Sequence, residues 1–106
     1  MAIYIYWRKT TVKKFFKGEP ENFTLTGLDA PLTNAVAIFT SDVINNLYVV
    51  EGGSSPRLLV LDKLGLYQFQ VLLPNLSGMV EFLTVDETNQ TFTLVMNGKA
   101  WSGVWQ

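Results

Sequence analysis

The sequence predicts an all-β fold: an antiparallel four-stranded unit of about 44 residues, present in roughly two and a half copies. Three observations predict it. The 106-residue chain matches itself when shifted by about 44 positions. Its apolar residues fall in short runs, several alternating with polar ones, bounded by turn residues. And no window of helical length carries a clean apolar stripe at i, i+3, i+4 and i+7.

The self-match is low in identity but regular in chemistry. Tyr4 meets Tyr48 and then Phe92; Leu28 meets Leu72, Leu32 meets Leu76, and Val36 meets Val80. Ile38 meets Phe82, Phe39 meets Leu83, and Asp42 meets Asp86. Taken in chain order, the first unit holds expected strands at 3–7, 12–17 and 22–28, the last from the alternation of Phe23 and Leu25 with Thr24 and Thr26. The second unit holds strands at 35–40, 47–51, 57–62 and 67–73, where Tyr67, Phe69 and Val71 alternate with Gln68 and Gln70. The third holds 79–85, 91–96 and 100–105. Turn residues separate them: 41–46, Gly52 to Pro56, 63–65, Pro74-Asn75 and Asn97-Gly98. Lettering the strands of a unit A to D, the chain reads BCD, ABCD, ABC. Residues 1–30 then form an incomplete unit without strand A, 31–76 a complete one, and 77–106 an incomplete one without strand D. Four short antiparallel strands at this period match the blade of a β-propeller.

The stretch Asn46-Leu47-Tyr48-Val49-Val50-Glu51, followed by Gly52-Gly53-Ser54-Ser55-Pro56-Arg57-Leu58-Leu59-Val60-Leu61-Asp62-Lys63-Leu64-Gly65, resembles the blade sequence of NHL-type propellers. Phe16 to Pro20 and Ala37 to Asp42 are similar to the C-terminal propellers of uncharacterised bacterial proteins. The resemblance implies a fold and not an activity, because propellers host many unrelated functions. A closed propeller needs four to eight blades. The expected completion is therefore homo-oligomerisation into six blades, as a dimer bringing three per chain or a trimer bringing two.

Composition narrows the chemistry. The chain has no cysteine and no histidine. That removes disulfides, thiol nucleophiles, the commonest zinc ligand and the commonest general base. Net charge is −1, so bulk electrostatics direct it neither to nucleic acid nor to a membrane. Five of the eight basic residues nevertheless lie in the first 17 positions: Arg8, Lys9, Lys13, Lys14 and Lys17. No apolar run reaches the length of a membrane span, and no secretory leader is recognisable, so the reading is a soluble, by default cytoplasmic, protein.

Asp42, Asp86 and Glu87 would gather a cation if repeated around a ring, but an Asp in such a turn more often bonds its own backbone amides. Glu81, inside an apolar run, is expected to face a central channel. Tyr4, Tyr6, Trp7, Trp101 and Trp105 would make a stacking platform, or more simply fill the wedge between sheets. Trp105 is expected to be exposed unless another chain covers it. The sequence thus suggests no catalytic residue, no cofactor and no metal site. It suggests a scaffold or interaction module whose partner-binding face holds Arg8, Lys9, Gly53, Ser54, Asn97 and Lys99. The self-association interface is expected at Tyr4, Tyr6, Phe23, Leu25, Trp101 and Trp105. The expected partners are copies of the chain itself and a protein or peptide. Two alternatives stand beside this one. One is a fragment or designed assembly unit without activity of its own. The other is a carboxylate enzyme holding a hard metal ion in the channel.

Overall fold

A computed structural model describes residues 2–76 and 79–105. It contains ten strands: β1 (Ala2–Trp7), β2 (Thr11–Phe16), β3 (Glu19–Glu21), β4 (Ala35–Phe39), β5 (Asn46–Glu51), β6 (Arg57–Asp62), β7 (Tyr67–Leu72), β8 (Val80–Asp86), β9 (Thr91–Met96) and β10 (Lys99–Val104). They form three antiparallel meanders, β1-β2-β3, β4-β5-β6-β7 and β8-β9-β10. Among the described residues there is no helix, so no helix long and apolar enough to cross a membrane.

The three sheets stack face to face in chain order. Tyr4 and Val12 of the first sheet pack with Leu47, Val49, Leu59 and Leu61 of the second. Tyr48, Val50, Leu58 and Val60, on the opposite face of the second sheet, pack with Leu83, Phe92 and Leu94 of the third. The middle sheet is thus covered on both sides. This explains why β5 and β6 read as unbroken apolar runs rather than alternating ones. Each outer sheet is covered on one side only: β1 buries only Tyr4, and β9 alternates buried Phe92 and Leu94 with half-buried neighbours.

Two sequence expectations need correction. The strand expected at 22–28 is displaced to the three residues Glu19–Glu21. Lys17 and Gly18 both adopt positive φ (52° and 80°), making a two-residue turn of the primed type that returns the chain at once onto β2. Residues 22–28 then leave the sheet. Thr26 bridges Leu66 in parallel, its N–H donating to Gly65 O at 2.9 Å while the Tyr67 N–H donates to its carbonyl at 2.8 Å. Phe23 and Leu25 do alternate with exposed Thr24 and Thr26, but they pack on the core between the first two sheets.

The second correction is to the shift of about 44 residues. It holds from β1 to β5, where Tyr4 and Tyr48 occupy equivalent places; past the longer β5–β6 turn the offset grows, and Val12 corresponds to Leu58. From the second to the third, the register slips by one. A β-bulge at Ala35/Ala37 recurs at Val80/Phe82, and Phe39 pairs with Tyr48 as Thr84 pairs with Thr93. Phe92 therefore corresponds to Leu47, and Leu94 to Val49, all four facing the preceding sheet. A one-residue slip moves every side chain to the other face. Because β5 is apolar on both faces, its sequence cannot reveal which register is right. In β9 the apolar pair Phe92 and Leu94 decides it.

Candidate functional site

The turns expected to form a binding face do cluster at one end of the stack. Thr10 N–H closes a turn onto Trp7 O at 3.2 Å, with Arg8 and Lys9 both left-handed at φ 53° and 63°. This is the type I′ pattern, normally filled by Asn-Gly. Asn97-Gly98 fills it that way between β9 and β10, at φ 50° and 75°. Two consecutive cationic residues in that conformation are strained. Lys9 O accepts the Ala35 N–H at 2.9 Å, which fixes this turn against the start of β4. Gly52 N–H donates to Asn34 O at 2.9 Å, fixing the β5–β6 turn beside it. Between these turns runs an open groove of about 350 Å³ lined by Tyr6, Lys9, Asn34, Val36, Gly52, Gly53, Leu76, Met79 and Val80. Of the six residues expected on the face, Lys9 and Gly53 line this groove. Arg8, Ser54, Asn97 and Lys99 are exposed on the turns around it. In a propeller blade the 74–77 loop would fall on this same face; its Ser77 lies outside the described residues.

Beneath this end lies a buried polar cluster that the sequence did not signal beyond the presence of Arg57. Arg57 and Glu51, paired across β5 and β6, are both buried, with Arg57 Nε donating to Glu51 Oε1 at 2.7 Å. Arg57 also donates to Gln70 Oε1 at 3.1 Å, to Asp29 Oδ1 at 3.3 Å and to Ala30 O at 3.0 Å. Glu51 Oε2 accepts the Thr33 N–H at 2.7 Å. Burial alone would raise the Glu51 pKa. The Thr33 amide and the Arg57 guanidinium outweigh it and hold the carboxyl below its ordinary value. The cluster pins the 29–33 linker, which joins the first two sheets, to the middle sheet.

At the opposite end, Glu87 accepts three donors from the middle sheet: the Asn45 N–H at 2.7 Å, the Asn46 N–H at 3.1 Å and the Tyr48 hydroxyl at 2.7 Å. Burial, and next the Glu87 carboxylate, push the Tyr48 phenol above the usual tyrosine range. Asp86 accepts both the side-chain and backbone amides of Asn89, at 2.8 and 3.2 Å, and these bonds hold its carboxyl below the ordinary value. Glu81 is exposed and accepts the Gly98 N–H at 2.6 Å, tying β8 to the β9–β10 turn. Among the described residues, no three acidic side chains converge. These carboxylates fasten turns and neighbouring sheets.

The expected interface residues are distributed differently from the reading above. Tyr4 is buried, donates to Lys63 O at 3.0 Å and meets the Phe23 ring edge-on at 5.3 Å. Phe23 and Leu25 pack on the same core. Trp101 lies 5.8 Å from the Phe92 ring. Trp105 is not exposed as expected: its ring packs between Tyr48, Phe69 and Phe92, at 5.7, 6.1 and 6.2 Å between centroids. Its backbone N–H donates to Gln90 O at 3.0 Å, which draws it back over the third sheet. These five side chains are occupied within the chain, and Tyr6 alone of the six lies open, at the groove.

No family model, no curated protein and no solved structure matches this chain.

Proposed function

We propose that the chain is a non-catalytic scaffold and interaction module of the NHL-like β-propeller kind. It supplies blade-like sheets that close into a ring with other copies, and it presents the turn face around Lys9 and Gly53 to a protein or peptide. One observation carries the reading: three meanders stack in chain order, and only the middle one is covered on both faces. Such a stack is unfinished at each end, and a ring is the closed form of it. Residues 22–28 already bond the turn at 65–67 of their own middle sheet, which leaves them unsuited to completing a neighbour's sheet. That favours three sheets per chain and a two-fold ring over the three-chain scheme. The groove is shallow and open, which suits an extended peptide better than an enclosed small molecule.

Light scattering after size exclusion tests the ring. Twice the 11.9 kDa chain mass supports it, and a monodisperse monomer at micromolar concentration overturns it. For the turn face, partners recovered with the wild-type chain should be lost with Lys9→Glu and Ser54→Trp. Binding that survives both changes removes this face from the proposal.

A further inference from the structure

The two internal junctions share one polarity. Side chains of a sheet fall on two faces: one holds Leu47 and Val49 in the middle sheet, the other Tyr48 and Val50. At the first junction, the Tyr48-type face of the first sheet (Tyr4, Val12) meets the Leu47-type face of the second. At the second junction, the Tyr48-type face of the second sheet meets the Leu47-type face of the third, Phe92 and Leu94. The faces left over at the ends are therefore unlike. The first sheet leaves open its Leu47-type face, with Ile3 56%, Ile5 37% and Trp7 45% exposed. The third leaves open its Tyr48-type face, with Phe82 52% and Val104 64% exposed. Each end presents the half-junction that the other lacks.

Charge has the same asymmetry. The first sheet and its turns carry five basic and two acidic residues, and Lys13 and Arg8 lie 5.0 and 5.8 Å from the Trp7 ring. The third carries Lys99 against Glu81, Asp86 and Glu87; Glu87 is bonded to the middle sheet, and Asp86 shares the open face with Val104. Like faces brought together would repel, and unlike faces attract.

We propose that the open face of the first sheet docks on the open face of the third sheet of a second copy, head to tail, as a continuation of the chain's own stacking. This rests on the ring-forming reading and adds to it the polarity and the residues. A dimer with each face set on its own kind would bring Lys13 against Lys13 and match no junction inside the chain.

Two variants at exposed positions test it, each confirmed to be folded by far-ultraviolet circular dichroism and thermal melting. Trp7→Glu blocks every head and Phe82→Glu blocks every tail. Each alone should run as a monomer. Mixed at high micromolar concentration, they should form a one-to-one heterodimer of twice the chain mass and nothing larger, since one good head meets one good tail. If the wild type self-associates but one variant alone remains a dimer, or the mixture forms no heterodimer, the head-to-tail polarity is wrong while the ring reading survives. If the wild type is itself a monomer, both fall, and the open faces belong to another occupant.

Discussion

The strained turn at Arg8 and Lys9 shows what a single residue contributes. A side chain with a Cβ at positive φ costs about 1 kcal/mol relative to glycine. Lys9→Gly should therefore stabilise the fold by about 0.5–1 kcal/mol, read as a rise in the midpoint of urea unfolding. Gly65 is the opposite case. Its φ is 95°, and a Cβ there would run into the Thr24 carbonyl. Gly65→Ala should cost about 2 kcal/mol or more in the same assay, and should loosen the 22–28 segment first. Glu51 supplies the pH dependence. Folding keeps its carboxyl ionised to lower pH than in the unfolded chain. Its contribution is complete above the ordinary carboxylate range, about pH 4–5, and disappears as pH falls through the folded value. Wild type should lose stability over that acid window more steeply than Glu51→Gln, which should be weaker at neutral pH by about 3 kcal/mol because buried Arg57 loses its buried charge partner and keeps only the exposed Asp29. A flat difference between the two across pH 3–7 would remove Glu51 from this account.

At the scale of strands and sheets, most elements were legible in the sequence, because turn residues and alternation report local geometry. Nine of the ten strands fall within a residue or two of expectation. The exception, β3, was hidden because the Lys17-Gly18 turn is short and the alternation at 23–26 is genuine but serves a linker. The slip between the second and third sheets was hidden for a different reason: a strand buried on both faces carries no alternation to read. The polar fastenings were illegible because Glu51, Thr33, Glu87 and Tyr48 meet only through tertiary packing. The Glu87 clamp is testable at this scale. Replacing Glu87 with Gln should let Tyr48 ionise at lower pH, seen as an earlier phenolate absorbance in alkaline titration. Gly103 tests the third sheet. It pairs with Phe92, and a Cβ on it would come within 2.7 Å of that buried ring. Gly103→Ala should cost about 1–3 kcal/mol by displacing Phe92 and with it the Trp105 contact.

For the whole molecule, coverage predicts where stability resides. β5 and β6 are buried on both faces, while β3 is short and exposed throughout. Amide hydrogen exchange should be slowest at Leu47 to Val50 and Leu58 to Leu61, and fastest along β3 and the outer edge of β10. Uniform protection across the three sheets would contradict the stacked description. Sequence reasoning reached the number and order of the sheets because repetition is visible in a single chain. It missed which aromatic residues lie free, since whether Trp105 faces water depends on the return of the chain at Gln90.

The meander connectivity has a consequence for how the chain is born. Every strand pairs with a sequence neighbour, so each sheet can pair its strands as it leaves the ribosome, without waiting for distant segments. Stacking cannot keep that pace. The first sheet emerges with Tyr4 and Val12 bare; Phe23 and Leu25 follow soon after, but the main cover arrives with β5 and β6, some forty residues of synthesis later. During that interval the nascent chain is a greasy hairpin carrying a cluster of lysines. Like charges repel, and in such a hairpin these lysines would oppose edge-to-edge pairing with a second copy.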